Sequence, residues 1–569
     1  MNKFLRINME TESLNYEEVK EEYKLFGGRD LVAKLLNDEV DPQCDPLGSG
    51  NKFIVCPGLL TDSAAPSTGR LSVGGKSPLT GTIKEANAGG VVAKMLAKLG
   101  IKAIIIEGKP ANEAWYILKI TQEKAELVSG EKYVGLNNYR LTEELQKNYG
   151  DKIGVVSIGG AGEKGYLNST LQVTSSNKTP SRAAARGGLG AVMGSKGIKA
   201  IVLDVGGPLN PDYVDKVRFM NAAKNYINAL KENPLTGQAL PTLGTAVLVN
   251  LTNSLGVLPT RNYSSGNFEH VESICGEHML EIQSQRKGKS GHACISGCSI
   301  GCSNVYNNKQ GEYLTSSLEY ETIALLGSNC GISSLDTIAT LDRMCDDFGL
   351  DTIETGATIG VCMEAGKIGF GDDQGVIKLV EEMMAGTEFG KILGQGTAYT
   401  GKHLGVKRIP TVKGQSLSGY DPRALKGTGV TFATSPMGAD HTSGNLLGFP
   451  GVDPLNKEGQ VEASTMMQVL MATVDSLGMC LFASFATDKP ENVGYLLEMM
   501  ACKFGGKWDQ DRLFGIGVQT ISLEKKFNKA AGFTEKDNRL PEFMYQEELP
   551  PHNVIFDITE EELGMAIPF

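Results

Sequence analysis

Up to about residue 205 the chain alternates short apolar, β-branched runs with glycine-rich turns: "NKFIVCPG", "KAIIIEG", "AWYILKI", "KIGVVSIGG" and "KAIVLDV". Apolar runs of that length, bounded by turn residues, predict strands. Between them "GGVVAKMLAKLG" has the spacing of a short helix. From "GGPLNPDYVDKV" onward the pattern changes. In "VDKVRFMNAAKNYINALKEN", "SSLDTIATLDRMCDDFG", "QGVIKLVEEMMAG" and "VEASTMMQVLMATVDSLG" the apolar residues follow the helical period, which predicts amphipathic helices. Loops dense in Gly, Asp, Ser and His lie between the longer helices, among them "KGQSLSGYDPRALKGTG" and "TSPMGADHTSGNLLGFPG". Their own apolar content is too low to order them, so they are expected to line a bound group. No internal repeat or low-complexity tract is evident. The pattern reads as α+β, a sheet-containing first part followed by a mostly helical remainder.

At 569 residues the chain exceeds one ordinary core, so two or three domains are expected. Its 70 glycines point to many tight turns or close backbone approaches to a ligand. A net charge of -11 gives no basic footprint for nucleic acid or an anionic membrane. The start, "MNKFLRINMETESLNYEE", lacks the apolar core of a signal peptide, and no run of about eighteen apolar residues is present to span a bilayer. A cytoplasmic location is therefore expected. There the 11 cysteines stay mostly reduced, and a cluster of them suggests a metal or redox site.

That cluster is "CISGCSIGCSNVY", in which Cys294, Cys298 and Cys302 stand four residues apart. On a helix they would share a face, but Gly297 and Gly301 predict an irregular ligand loop. Closely spaced thiols followed by one remote thiol are a common way to ligate an iron–sulfur cube. Zinc competes, yet its structural sites usually carry a second Cys pair or a His pair, and neither is present. A third reading is the three-cysteine loop of radical enzymes that cleave S-adenosylmethionine, which needs no fourth Cys but has a last gap one residue shorter. Cys330, Cys345, Cys362, Cys480 and Cys502 are the candidates for a fourth thiol.

"DDFGLD" (Asp346 to Asp351) and "DSLGMC" (Asp475 to Cys480) both spell D-x-x-G-x-(D/C), each after an amphipathic helix. The Gly suits a left-handed helix ending, with an acid on one side and a polar ligand on the other. With these motifs, the thiol loop and the glycine-rich segments "GRLSVGGKSPLTGTIKEANAGG" and "SRAAARGGLGAVMGSKGIKAIVL", the chain resembles the tungsten-containing aldehyde ferredoxin oxidoreductase family over nearly its whole length. The resemblance implies an N-terminal two-sheet saddle domain (1–208) and two mostly helical domains (209–415 and 416–569). Together these would enclose a tungsten, or molybdenum, bis-pyranopterin dithiolene. Asp346, Gly349 and Asp351 would grip one pterin, and Asp475, Gly478 and Met479 the other. Cys480 would complete a [4Fe-4S] cluster with Cys294, Cys298 and Cys302. Arg70, Asn87, Gly89, Arg182 and Ala183 would lie at the pterins, with the Asn87 and Ala183 carbonyls on a Mg2+ bridging the phosphates. Backbone N–H groups near glycines, arginines and carbonyl oxygens suit phosphate and magnesium respectively. "GLGAVMG" by itself resembles a nucleotide fingerprint, but "TPSRAAARG" and not a strand precedes it, which disfavours a nicotinamide cofactor.

"SLEYETIALLGSNCG" and "TSPMGADHTSG" resemble family segments beside the metal, which makes Glu321 and His441 a proton-handling pair with Tyr320 as a neighbour. Oxidising an aldehyde to an acid takes oxygen from water and releases protons, work suited to a carboxylate and an imidazole. Electrons would pass to ferredoxin or an iron–sulfur subunit. Reduction of an acid or aromatic thioester is the alternative, and a non-catalytic iron–sulfur electron carrier is the reading from another class. The chain departs from the family in two places. Its thiols are spaced C-x3-C-x3-C where C-x2-C-x3-C is more familiar. "DTIATLDRMC" also lacks the E-x-x-H that holds a subunit-bridging metal in some members, so a homo- or hetero-oligomer would have to form without it. Cys330, close after Glu321, reads as a buried core thiol.

Overall fold

The computed structural model describes all residues, 1–569. Its N-terminal part contains twelve strands: β1 (Lys3–Asn8), β2 (Ser13–Glu18), β3 (Phe53–Pro57), β4 (Leu71–Lys76), β5 (Ile83–Ala88), β6 (Ile101–Glu107), β7 (Tyr116–Thr121), β8 (Ala125–Ser129), β9 (Gly154–Ser157), β10 (Leu171–Val173), β11 (Arg182–Ala184) and β12 (Ile198–Asp204). One six-stranded sheet has the order β2-β1-β6-β3-β4-β5 and the other β8-β7-β12-β9-β10-β11. Setting β7 on β1 and continuing in step makes the two orders identical. The senses match as well, since β1 is parallel to β6 and β7 to β12, while every other neighbouring pair is antiparallel. Even the connections agree. In each half the first hairpin leads through a one-turn helix (Glu21–Tyr23, Glu131–Tyr133) into a 12-residue helix (Gly28–Glu39, Asn138–Tyr149).

The domain is therefore a duplicated unit, a correction to the absence of repeats expected from sequence. Only short traces of the duplication survive in the sequence: "GIKAI" at Gly100 and again at Gly197, and a Gly-Gly pair before each short helix (Val92–Lys98, Leu189–Ser195). The repeated lysine has a structural reason. Lys102 Nζ donates to the Lys24 carbonyl at 3.0 Å, and Lys199 Nζ to the Leu136 and Ile158 carbonyls at 2.8 Å each. Each ties its sheet to the segment leaving the one-turn helix, and burial pulls the Lys102 ammonium down to about 8.

Both faces of the first sheet are covered, which explains unbroken apolar runs such as "AIII". Phe53, Val55, Ile104 and Ile106 face a core shared with Leu118, Ile201 and Leu203 of the second sheet. Ile54, Cys56 and Ile105 face the helix Gly28–Glu39 instead, as Ile117, Val155 and Val202 in the second sheet face Asn138–Tyr149. The remainder is mostly helical, and helices Lys216–Glu232, Leu335–Phe348, Asp373–Ala385 and Gln460–Leu477 stand where the periodicity predicts them. One feature there was not expected, a three-stranded antiparallel sheet of Lys289–His292, Ser303–Asn307 and Tyr313–Ser316. Its strands are short and largely polar, so they carry no strand signature. The thiol loop joins the first two, is not helical, and turns on Gly297 (φ 82) and Gly301 (φ 71). No helix is long and apolar enough to cross a membrane.

Candidate active site

The two D-x-x-G-x-(D/C) motifs dock on the two halves of the duplicated domain through equivalent bonds. Helix Leu335–Phe348 ends at Gly349 (φ 85) and helix Gln460–Leu477 at Gly478 (φ 73), both in the left-handed region. The Thr170 N–H donates to the Gly349 carbonyl at 2.9 Å, and the Arg70 N–H to the Gly478 carbonyl at 3.1 Å. Both donors stand immediately before the fourth strand of their unit. Two residues past each Gly, the Asp351 N–H donates to the Asn168 carbonyl at 2.9 Å and the Cys480 N–H to the Ser67 carbonyl at 2.8 Å. The residue after the first Asp also repeats its role, since Asp347 Oδ1 accepts from the Tyr139 N–H at 2.9 Å and Ser476 Oγ from the Asp30 N–H at 3.1 Å.

The second dock is the tighter one. A Cβ at Gly478 would stand 2.6 Å from Thr61 Oγ1 and 2.8 Å from Gly58 Cα, whereas at Gly349 the nearest atom would be 3.2 Å away. A left-handed alanine costs about 1–2 kcal/mol and overpacking about 1–3 kcal/mol more. Gly478→Ala is therefore expected to lower the thermal unfolding midpoint clearly more than Gly349→Ala. Equal shifts would contradict the asymmetry.

Each motif acid is buried and bonded to the sheet behind it. Asp346 Oδ1 accepts from Gln172 Nε2 at 3.2 Å, while Asp475 accepts from Asn87 Nδ2 at 3.1 Å and Arg29 Nη1 at 3.4 Å. Burial, reinforced by Asp342, holds the Asp346 carboxyl well above the usual range. Burial lifts Asp475 to about 6 against the pull of Arg29 and Arg70. Asp351 caps helix Thr352–Glu364 through the Ile353 N–H and lies 3.2 Å from Arg186 Nε. Met479 is packed in an apolar cluster.

Ser67 ties the thiol loop to the remote thiol. Its N–H donates to the Gly297 carbonyl at 3.1 Å while its carbonyl takes the Cys480 N–H. Gly90 N–H donates to the Cys294 carbonyl at 3.1 Å, and a Cβ at Gly89 would stand 3.2 Å from Cys294 Sγ. Burial pushes the Cys480 thiol up to about 12, with Cys294 and Cys298 adding to the rise and Arg70 opposing it. Burial raises Cys302 too, followed by Glu319, Cys480 and the other two loop thiols. The other fourth-thiol candidates lie elsewhere. Cys330, Cys345 and Cys362 are in the helical core, Cys330 donating to the Leu325 carbonyl at 3.3 Å, and Cys502 is beside Arg218 and Asp215.

Arg70 bridges the thiols to the second dock, with Nε 2.6 Å from Asn87 Oδ1 and Nη2 2.9 Å from the Asn87 carbonyl. Arg182 Nη2 donates to Ser303 Oγ at 2.7 Å, and Ala183 pairs with Gln172 between β11 and β10. Tyr320 and Glu321 hold one residue, Gly419, from both ends. The Tyr320 hydroxyl donates to the Gly419 carbonyl, and Glu321 Oε2 accepts from the Gly419 N–H at 2.7 Å. Glu321 Oε1 lies 3.4 Å from His441 Nδ1, and both atoms are buried without a hydrogen-bond partner. Burial pushes the Glu321 carboxyl up, with His441 opposing.

A set of buried charges had no counterpart in the sequence reading. Lys84 Nζ, from β5, meets Asp440 Oδ2 at 3.1 Å, and Arg186 donates to the Ala439 and Ser416 carbonyls at 2.7 Å each. Burial alone would raise Asp440, but Lys84 and Arg186 hold it well below the usual carboxylate range. On the other dock Arg29 makes a two-point bond with Glu524 at 2.7 and 2.9 Å. Nearby Glu85 is pushed up to about 8 by burial and then by Asp475. Such a carboxyl stays protonated in the folded chain after the unfolded chain has lost its proton. Its contribution to stability is thus intact below about 4.5 and is lost as pH rises from there to about 8. Glu85→Gln keeps the neutral form, so its thermal midpoint relative to the parent is expected to climb between pH 5 and 8. A constant difference would contradict the assignment.

Several buried polar atoms among these residues lack partners: Arg182 Nε, Gln172 Oε1, Glu85 Oε1, Ser67 Oγ, Glu321 Oε1 and His441 Nδ1. Unmet hydrogen-bonding capacity of this kind fits a polar group held between the sheets and the helices. Paired docks, a thiol loop tied through Ser67 to the Cys480 segment and a buried carboxylate–imidazole pair without partners fit the class of oxidoreductases that enclose a cofactor.

Comparison with known proteins specifies the class. The chain belongs to the aldehyde ferredoxin oxidoreductase family: the model of that family's N-terminal domain matches residues 4–205, and the model of its domains 2 and 3 matches residues 221–562. The tungsten-containing aldehyde ferredoxin oxidoreductase of Thermococcus kodakarensis is 34% identical over 96% of this chain and 92% of its own length. That of Pyrococcus furiosus is 33% identical over the same shares. The WOR-like subunit of an aliphatic sulfonate oxidoreductase from Pyrococcus furiosus is 25% identical over 79% of this chain and 76% of its own. Among solved structures, the active site complex BamBC of benzoyl coenzyme A reductase superposes with a TM-score of 0.81 at 18% identity, covering 99% of this chain and 93% of that one. It shares the fold, and the sequence reading of fold class and family is borne out.

Proposed function

We propose that the chain is a tungsten bis-pterin and [4Fe-4S] oxidoreductase that converts an aldehyde and water to a carboxylic acid and delivers the electrons to ferredoxin or an iron–sulfur subunit. The observation that carries this reading is the buried, unpartnered Glu321 Oε1 and His441 Nδ1, 3.4 Å apart. A non-catalytic electron carrier has no use for such a pair. Glu321 is fixed through its other oxygen by the Gly419 N–H, so Oε1 is presented as the free acceptor for a proton released from water. His441 Nδ1 is placed to exchange that proton. Tyr320 supports the pair by holding the Gly419 carbonyl.

Asp346, Gly349 and Asp351 would hold one pterin with Arg182 and Ala183, and Asp475, Gly478 and Met479 the other with Arg70, Asn87 and Gly89. When bound, the metal dithiolene supplies the two-electron change. The Asn87 carbonyl already accepts from Arg70 Nη2, and its second lone pair suits the proposed Mg2+. Cys294, Cys298, Cys302 and Cys480 would ligate the cluster. The domains would divide at 208 and 415.

Anaerobically purified protein is expected to reduce a viologen dye when given an aldehyde, and to place 18O from labelled water in the acid. Failure of every aldehyde tried to elicit dye reduction would overturn the reading.

A further inference from the structure

His441 faces two carboxylates, since its Nδ1 lies 3.4 Å from Glu321 Oε1 and 3.7 Å from Asp440 Oδ1. The two are bonded very differently. Glu321 Oε1 has no hydrogen-bond partner, whereas Asp440 Oδ1 accepts from the Thr442 N–H at 3.1 Å and the Thr442 hydroxyl at 2.8 Å, and Asp440 Oδ2 from Lys84 Nζ at 3.1 Å. Glu321 is therefore the oxygen placed to take a proton. What Asp440 offers the imidazole is a fixed negative charge at short range.

That charge has a counter-ion of its own. Lys84, with a side chain 0% exposed, makes its one ionic contact with Asp440, while Arg186 spends its contacts on Asp351 at 3.2 Å, on Glu354 at 3.7 Å and on the loop carbonyls. Against burial, Lys84 and then Arg186 keep Asp440 ionised. Burial raises Glu321, His441 and Arg186 oppose the rise, and Asp440 adds to it. The other groups around the pair are the phenols of Tyr263, Tyr320 and Tyr420, all raised by burial and so neutral. The backbone is held as firmly. The His441 N–H donates to Ser418 Oγ at 3.2 Å and the Gly419 N–H to Glu321 Oε2, so ring and carboxylate are anchored on adjacent residues.

We infer that Asp440 is a positioning residue for the proton-handling pair and that Lys84 is its counter-ion, so that a cation of the sheet domain sets how strongly the pair feels the anion. The inference rests on the roles proposed for Glu321 and His441. The proton that Glu321 Oε1 takes from water passes to His441 Nδ1, and while the ring holds it Asp440 supplies the compensating charge. The same anion disfavours a second negative charge on Glu321 and so makes that carboxylate a stronger base.

The test is a pH titration of the Glu321 carboxyl by difference infrared spectroscopy of the as-isolated holoprotein, with the protonated C=O band identified by its loss in Glu321→Gln. It needs no aldehyde, so its failure is distinguishable from a failure of the catalytic reading. Asp440→Asn keeps an oxygen for Thr442 and removes the anion, and the midpoint is expected to fall by about 0.5–1 on the pH scale. Lys84→Gln keeps a donor for Asp440 and removes the cation, and the midpoint is expected to rise by about as much, with Arg186 still holding Asp440 ionised. In turnover the acid limb of kcat/KM should move in the same two directions. A residue that only holds the loop together would not give opposite signs. Each single change leaves one buried charge without its partner, so the double variant Lys84→Gln/Asp440→Asn, in which two neutral amides face each other, guards against misfolding. Its midpoint is expected between those of the parent and Asp440→Asn. The inference is overturned if the two single variants move the midpoint the same way, if either leaves it where the parent has it, or if the double variant lies outside that interval.

Discussion

Glu321→Gln is expected to lower aldehyde oxidation by about 10²–10⁴-fold, the usual worth of a positioned general base, with iron and tungsten content unchanged. Gln retains the shape and an oxygen able to accept from the Gly419 N–H, so the loop that carries Gly419 stays in place. What is lost is the proton acceptor facing His441 at 3.4 Å. Because burial pushes the Glu321 carboxyl up, the acid limb of kcat/KM should lie above the ordinary carboxylate range in the parent. That limb should vanish in the variant. A loss smaller than about fivefold, or an unchanged acid limb, would remove Glu321 from the chemistry.

The second large effect is expected at Cys480. Cys480→Ala removes one corner ligand of the proposed cube, and the count should fall below about four irons per chain with loss of one-electron delivery. The chain should stay folded, because the bond that docks this residue is its N–H to the Ser67 carbonyl, which alanine retains. Gly478, tightly seated two residues earlier, is untouched. Cys330→Ala provides the contrast. That thiol is in the helical core, so its loss is expected to cost stability and leave the iron count intact. Full iron content in the Cys480 variant would contradict the ligand assignment.

Much of this arrangement is written locally. Apolar runs bounded by turns mark β3, β6, β7, β9 and β12, because a strand covered on both faces needs no alternation. The helix-ending glycines are legible because only a residue free of Cβ adopts φ 73 or 85 without strain. Strands β1 and β2 carry too little apolar pattern to be read, and the outer strand β2 is largely exposed. The duplication escaped because it is conserved in geometry more than in residues. What repeats is the backbone bonding at Gly349 and Gly478 and a buried lysine, while the side chains around them have diverged.

The buried charges were illegible for a different reason. Lys84 and Asp440 are separated by 356 positions and Arg29 and Glu524 by 495, so nothing in either neighbourhood signals the partner. In sequence Lys84 and Glu85 look like ordinary strand charges. Only packing reveals that Lys84 joins the sheet domain to the His441 loop, and that Arg186 links this loop to Asp351 of the first dock. These cations tie the loop carrying His441, the proposed proton carrier, to the same sheets that receive the motifs.

The most direct measurement is metal and acid-labile sulfide analysis of the chain purified without oxygen. About four irons, four sulfides and one tungsten or molybdenum per chain are predicted. Zinc in place of iron, or iron without either heavy metal, would contradict the account.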